Sequence, residues 1–136
     1  MKHSVHLLLA SVAMSSLALV SCSPKTSVVE SDFAFADSQL RLAIQCADST
    51  RAAQNKTLVE LPSPRNIEPD SSMRLVSASD WCSGFFPGEL WYMYEYTGDP
   101  FWKQQAETYT EALESQKSNR GTHDIGFMMY CSFGNG

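Results

Sequence analysis

The stretch GELWYMYEY, residues 88–96, constrains the fold most strongly, because it is apolar on nearly every face of a helix. Pro87 precedes it and suits a first helical turn, where its missing N–H would have no partner in any case. Gly98 follows, as is typical near a helix C-terminus. A helix this apolar is normally buried on more than one side. The sequence therefore predicts a helix from about Pro87 to Tyr96 that must be covered by segments outside it.

Two further amphipathic helices are predicted. The first begins at Ser31 or Asp32 and fades near Ala53, with apolar residues at helical spacing: Phe33, Ala36, Leu40, Ala43, Ile44 and Ala47. In the second, Asp99 caps the free amides and Pro100 takes the first helical position. Its buried face consists of Trp102, Ala106, Tyr109 and Leu113, and its solvent face of Gln104, Glu107, Glu111 and Glu114. The chain is therefore expected to be all-α.

Prolines 62, 64 and 69 exclude helix from the segment between them, so residues 55–80 are predicted as a long irregular connection with a short extended piece at 73–77. Another apolar stretch covers 125–130. The dipeptides Gly84-Phe85 and Gly126-Phe127 lie 42 residues apart, each after a polar loop with an aspartate. A period of about 40 residues indicates stacked helical hairpins, as in an α-solenoid or a toroid.

The N-terminus has the pattern of a targeting segment. Lys2 is followed by an apolar run of about 16 residues, shorter than the roughly 20 that a membrane-spanning helix needs. The run ends in Leu-Val-Ser-Cys22, which resembles the lipobox of bacterial lipoproteins. We expect residues 1–21 to be a signal peptide, Cys22 to carry lipid, 22–32 to be a tether and 33–136 the folded domain. The alternative is plain secretion. Lipidation predicts a protein anchored on the membrane in the bacterial cell envelope, on its periplasmic or surface side.

The net charge and the cysteine spacing argue against two classes of ligand, nucleic acids and thiolate-bound zinc. The net charge of −5 offers no basic surface for a nucleic acid, so no nucleic-acid partner is expected. None of the four cysteines forms a C-x-x-C pair, so a thiolate zinc site is disfavoured. If Cys22 is lipidated, the odd number that remains cannot all pair, and Cys46, Cys82 and Cys131 are expected to be free, buried thiols.

Three residues are candidates for a site. Thirteen of the fifteen aromatic residues lie between Trp81 and Phe133, as either a dense core or a sugar-stacking surface. Trp81 stands in a polar loop before a helix and suits a stacking platform. His123 is the only histidine outside the leader, and no G-x-S-x-G nucleophile motif accompanies it. Asp124 precedes an apolar helix, so it is either a helix cap or a catalytic carboxylate that the first amides would keep ionised.

Two long motifs then carry a family resemblance. DWCSGFFPGELWYMYEYTGDPFW, residues 80–102, and THDIGFMMYCSFGNG, residues 122–136, resemble the N-terminal part of glycoside hydrolase family 88, the unsaturated glucuronyl hydrolases. The resemblance implies an (α/α)6 toroid of helical hairpins. It also implies removal of a 4,5-unsaturated uronic acid from the non-reducing end of lyase-generated, glycosaminoglycan-type oligosaccharides, by hydration of the vinyl ether. No metal or other cofactor is implied.

The resemblance also assigns roles. Asp124 matches one of the family's two catalytic carboxylates, and His123 and Trp81 match residues that line the sugar site. The second carboxylate, which donates the proton, has no counterpart before Gly136. Twelve helices need roughly 200 residues at minimum, whereas 115 follow the predicted leader. We therefore expect a truncated, inactive piece of the toroid. Two alternatives are the sister family of unsaturated rhamnogalacturonyl hydrolases and a non-catalytic carbohydrate-binding lipoprotein.

Overall fold

A computed structural model describes residues 27–136, which fold mainly as helices. In chain order the elements are α1 (Val28–Ala53), β1 (Ser63–Ile67), β2 (Met73–Val76), α2 (Phe85–Thr97), α3 (Pro100–Glu111), a single 3₁₀ turn (Glu114–Gln116) and α4 (Ile125–Met129). The expected all-α class is confirmed, with one antiparallel β1–β2 hairpin added to it. No helix in residues 27–136 is both long and apolar enough to cross a membrane.

The first helix begins one turn earlier than predicted. The Ser27 hydroxyl accepts a hydrogen bond from the Glu30 amide at 3.1 Å, and the Glu30 carboxylate accepts one from the Ser27 amide at 2.7 Å. This reciprocal capping box satisfies two otherwise free amides and starts the helix at Val28. The predicted start at Ser31 or Asp32 is therefore wrong, and the last five residues of the predicted tether are helical. The predicted signal peptide and Cys22 lie outside the described residues.

The α2–α3 pair forms a helical hairpin whose turn was predicted correctly. Gly98 ends α2 in the left-handed conformation, with φ of 66°, and its amide donates to the Tyr94 carbonyl at 2.8 Å. Asp99 then accepts a hydrogen bond from the Phe101 amide at 2.9 Å, and Pro100 occupies the first helical position. Pro87 lies in the first turn of α2, as expected, although the helix starts at Phe85.

The core lies where α1, α2 and α3 meet. The predicted inner face of α3 is buried and its predicted solvent face is exposed. The main cluster consists of Ile44, Phe86, Leu90, Met93, Trp102, Ala106 and Tyr109. Tyr92 and Tyr96 of α2 remain exposed, although Tyr96 stacks on Phe33 of α1, so the described residues leave part of this helix uncovered.

Two arginines of α1 form polar contacts that link it to α3. Arg41 makes an ion pair with Asp37 on its own helix at 2.9 Å and with Asp99 at 3.2 Å. The buried Arg51 donates to the Tyr109 hydroxyl at 2.9 Å and to the Leu61 carbonyl at 3.0 Å. Because its donors are paired, the Arg51 charge is accommodated close to the core.

The β-hairpin replaces part of the predicted irregular connection. The predicted extended piece is confirmed as β2, but β1 was not predicted, because Pro64 argues against a strand. In a two-stranded ribbon a proline is tolerated, since each strand has an open edge. The register shifts between Pro64 and Asn66, so that Arg65 falls at the irregularity.

Candidate functional site

Three aromatic rings from two distant segments form an exposed cluster, here called the aromatic cluster: Trp81, Phe85 and Phe127. Their ring centroids lie 5.6 Å (Trp81–Phe85), 6.2 Å (Trp81–Phe127) and 5.8 Å (Phe85–Phe127) apart, each pair edge to face. Such contacts favour a fixed ring geometry. Trp81 is 45% exposed and Phe127 48% exposed, so the cluster presents an aromatic surface to solvent.

The cluster forms because the two Gly-Phe dipeptides pack against each other. A Cβ atom on Gly84 would lie 2.3 Å from the carbonyl oxygens of both Phe127 and Met128. Only glycine permits this approach, and it brings Phe85 and Phe127 together. The two dipeptides were interpreted above as a repeat signal, but their contact was not predicted, and neither phenylalanine was predicted as a site residue. Their likeness was the signal that could have found them.

Asp124 and His123 lie next to this cluster in the chain. The Phe127 amide donates to the Asp124 carbonyl at 2.9 Å, which puts Asp124 one turn before that ring. The His123 Nε2 lies 3.4 Å from Asp124 Oδ1; the His123 side chain is 95% exposed and that of Asp124 29%. The two polar candidates therefore lie immediately before α4, the helix that carries the Phe127 ring in contact with Trp81.

Of the two roles considered for Asp124, helix cap or catalytic carboxylate, the structure does not show the cap. Asp124 precedes α4, but its side chain accepts no capping hydrogen bond. The reason is its backbone conformation, with ψ of 3°, whereas the capping Asp99 has the extended ψ of 118° that aims its side chain at the free amides. Within residues 27–136 the Asp124 carboxylate lies 3.4 Å from the His123 imidazole, a contact that is an ion pair only when that ring is protonated. The carboxylate is thus not engaged by the helix that follows it.

A second carboxylate, Asp80, lies before Trp81 and is held more firmly. It forms an ion pair with Arg65, and its Oδ1 accepts hydrogen bonds from the Cys82 amide at 3.2 Å and from the Cys82 thiol at 3.1 Å. Partial burial acts to raise the pKa of Asp80, but the Cys82 hydrogen bonds and the Arg65 charge outweigh it and lower that pKa.

The three cysteines of the described region are unpaired, as predicted, but they are partly rather than fully buried. Burial, together with the bond to Asp80, raises the pKa of the Cys82 thiol to about 11. A thiol with so high a pKa is unreactive at neutral pH. Residues 27–136 contain no grouping of three or more His, Cys, Asp or Glu residues that could hold a metal ion.

A groove of about 560 Å³ lies beside the aromatic cluster, between α1, the β-hairpin and the start of α2. Its walls are mainly apolar, and they include Phe85, Arg65 and Glu89. Glu89 remains open to solvent at the surface of α2, but the surrounding protein removes enough water to raise the pKa of its carboxyl.

Comparisons with known proteins match this chain over part of its length. No protein-family model matches it. An unsaturated glucuronyl hydrolase of Formosa agariphila is 54% identical over 61 residues, which are 45% of this chain and 15% of that protein. An unsaturated glucuronyl hydrolase of Bacillus sp. strain GL1 is 41% identical over 58 residues, 40% of this chain and 15% of that protein.

A solved structure agrees with these relatives. The crystal structure of an unsaturated glucuronyl hydrolase specific for heparin superposes with a TM-score of 0.56 at 41% identity, over 76% of this chain and 26% of that one. The chain thus spans about a sixth of the curated relatives and about a quarter of the solved one. The resemblance that the two long motifs carry is therefore confirmed: this chain is similar to one part of the unsaturated glucuronyl hydrolases.

Proposed function

We propose that the full-length protein containing this chain is a glycoside hydrolase that removes a 4,5-unsaturated uronic acid from the non-reducing end of lyase-generated oligosaccharides. Support comes from two curated relatives named unsaturated glucuronyl hydrolase and from a solved relative of the same name. The solved relative is described as specific for heparin, which favours a glycosaminoglycan-type substrate for this protein as well.

The proposed chemistry is hydration of a vinyl ether. An acid adds a proton to one carbon of the double bond, the oxygen of water bonds to the neighbouring carbon and loses a proton to a base, and the hemiketal so formed opens and releases the next sugar. Positive charge develops beside the ring oxygen when the proton adds. A carboxylate placed near that charge stabilises the transition state and can orient the attacking water. We assign this role to Asp124, and no cofactor is needed for the reaction.

The observation that carries this assignment is the uncapped carboxylate of Asp124. An aspartate at a helix start is most often consumed by capping, but the Asp124 side chain makes no capping bond. It stays partly exposed, and its helix contributes Phe127 to the aromatic cluster. A carboxylate beside an aromatic surface is a suitable arrangement for a sugar ring, whose apolar face packs on the aromatic side chains that commonly line binding sites.

We assign substrate binding to Trp81 and His123. The Trp81 indole is 45% exposed and is the largest open ring of the cluster, so it is suited to stack on the uronate ring. The His123 imidazole is almost fully exposed within 3.4 Å of Asp124, so its donor groups can reach both that carboxylate and a bound sugar.

A matched pair of substrates tests the proposal. The full-length protein is incubated with unsaturated disaccharides made by lyases from heparin-type polymers and from rhamnogalacturonan, and the absorbance of the double bond is followed. Consumption of the heparin-type disaccharide alone is expected. Preference for the rhamnogalacturonan product would indicate the sister activity instead. Binding of either disaccharide without loss of absorbance would indicate the non-catalytic carbohydrate-binding lipoprotein.

We also propose that the protein is anchored to a membrane of the bacterial cell envelope through lipid on Cys22. Support comes from the sequence Leu-Val-Ser-Cys22 after an apolar run that is too short to span a bilayer. Lipid chains would hold the enzyme on the surface of the membrane, where it would meet oligosaccharides outside the cytoplasm.

A further inference from the structure

The loop that carries Trp81 is held by a residue from a different element. Arg65 lies on β1, at the point where the hairpin register shifts, and its guanidinium forms an ion pair with Asp80. The same guanidinium lies over the Trp81 ring, with its central carbon 5.9 Å from the ring centroid. One side chain therefore contacts both the tryptophan and the residue before it.

The ion pair is shielded enough to fix the loop. The Arg65 side chain is 30% exposed and that of Asp80 is 19% exposed, so water screens their attraction less than it would at an open surface. Arginine suits this position because its planar group can pair with a carboxylate and stack on an aromatic face at the same time. A lysine could keep the positive charge but could not pair with the carboxylate and stack on the ring at the same time.

The remaining contacts of Trp81 also restrict the orientation of its ring. The other oxygen of Asp80 accepts from the Cys82 amide and thiol, which fixes the backbone on both sides of Trp81. The indole meets the edges of Phe85 and Phe127, and Arg65 contacts the ring as a cation. Of these partners Arg65 is the one that comes from the hairpin, so the hairpin's position is coupled to the orientation of the indole.

We propose that Arg65 is a positioning residue for Trp81: it holds the indole in the orientation that stacks on the uronate ring of the substrate. This inference rests on the proposed function of the protein, because it takes Trp81 as a substrate-binding residue. Arg65 acts through Trp81 and Asp80, and its own charge is already paired. Its loss should therefore weaken substrate binding more than it slows the chemical step.

The first test compares Arg65→Gln, Arg65→Lys and Arg74→Gln in the full-length protein. Arg74 lies on the neighbouring β2 and makes no ion pair within residues 27–136, so it is the matched control. Loss of a stacked, paired guanidinium should raise KM about 3- to 10-fold, with kcat changed less than about 2-fold. The lysine variant should lie between wild type and Arg65→Gln, and Arg74→Gln should match wild type. A 3- to 10-fold fall in the kcat of Arg65→Gln with an unchanged KM would overturn the proposal.

A double-mutant cycle separates positioning from general support of the fold. In a Trp81→Ala background Arg65→Gln should raise KM by less than about 2-fold, because the ring that it positions is gone. The same fold-increase in KM with and without Trp81 would show that Arg65 acts independently of Trp81 and would refute the inference.

A spectroscopic measurement distinguishes failure of this inference from failure of the proposed function. With 5-fluorotryptophan incorporated, the fluorine signal of Trp81 is identified by its loss in Trp81→Phe. Arg65→Gln should shift or broaden this signal and leave those of Trp91 and Trp102 in place. An unmoved signal would overturn the positioning role even in an active enzyme. A moved signal in a protein that consumes no substrate would support positioning and reject the proposed function.

Discussion

Single residues of the same type have different roles in this chain, and the two glycines of the Gly-Phe dipeptides are the clearest case. Gly84 lies against the backbone carbonyls of Phe127 and Met128, where a Cβ would come within 2.3 Å of both oxygens. For Gly126, the nearest atom to such a Cβ is a ring carbon of Tyr130, at 3.6 Å. The first position excludes a side chain, whereas the second has room for one.

We therefore expect Gly84→Ala to lower the free energy of unfolding by about 1–3 kcal/mol, because backbone atoms cannot move aside as side chains can. Gly126→Ala should be neutral or slightly stabilising, since alanine is the better helix former within α4. Urea unfolding of the two variants beside wild type checks this pair. Equal stabilities for both variants would show that the close approach of α4 to Gly84 does not exist in solution.

Two aspartates show which helix caps could be predicted from the sequence. Asp99 and Asp124 both precede a helix, and capping was considered for each. Asp99 caps because the Gly98 turn delivers it in an extended conformation, a local effect that the Gly-Asp-Pro sequence encodes. Asp124 has a different backbone conformation and does not cap. Ile125 follows Asp124 where Pro100 follows Asp99, so no proline holds Asp124 extended, but spacing alone could not predict that its carboxylate is uncapped.

At the scale of elements, α1 is linked to α3 through a small charged network. Asp37 on α1 accepts hydrogen bonds from Arg41 and from the indole N–H of the buried Trp102, at 3.1 Å for the latter. Arg41 also pairs with Asp99, the cap of α3. The hydrogen bond from Arg41 is the main cause that lowers the pKa of Asp37 below its ordinary 3.8, and burial opposes it.

This lowered pKa predicts a dependence of stability on pH. A carboxyl whose pKa is lower in the folded state contributes stability above its unfolded pKa and loses that contribution as pH falls through the folded pKa. The stabilising effect of Asp37 should thus be complete at neutral pH and disappear below 3.8. Asp37→Asn should be less stable than wild type at about pH 7, and the difference should shrink as the pH falls below 3.8.

The measurement is urea unfolding of both proteins across that pH range, with Asp32→Asn as the control. Asp32 lies exposed on the same helix and makes no ion pair within residues 27–136. A constant difference between Asp37→Asn and wild type at all pH values would mean that the carboxylate charge is not what links α1 to α3.

The elements also show which parts of the fold depend on distant contacts. Helix α3 was predicted because its cap, proline and apolar spacing all lie within the helix. Strand β1 was not, because Pro64 argues against a strand and because its stabilising partners lie far along the chain. Ser63 donates to the Ser83 carbonyl and Arg65 pairs with Asp80. Contacts across 15 to 20 residues leave no periodic pattern that a sequence analysis could detect.

For the whole molecule, a lipid anchor on Cys22 would determine where the proposed activity takes place. In the native host the protein should incorporate a labelled fatty acid and sediment with membranes, because more than one acyl chain gives stable attachment. Cys22→Ala should abolish both effects. Cys46→Ala is the control, since Cys46 lies partly buried on α1 and should leave the label unchanged. A label that persists in Cys22→Ala, or a soluble protein cleaved elsewhere, would contradict the anchor.

The central claim is that the Asp124 carboxylate takes part in hydration of the unsaturated uronate, and one substitution tests it most directly. Asp124→Asn keeps the size of the side chain and removes only its charge and basicity. Because this side chain makes no capping bond, the urea midpoint should not change.

In the full-length protein, the rate of hydration of a heparin-type unsaturated disaccharide is followed by the loss of its double-bond absorbance. This rate should fall by roughly 10²- to 10⁴-fold, the range typical for loss of a catalytic carboxylate. An Asp124→Asn protein of unchanged stability that retains activity within a few-fold of wild type would contradict the account.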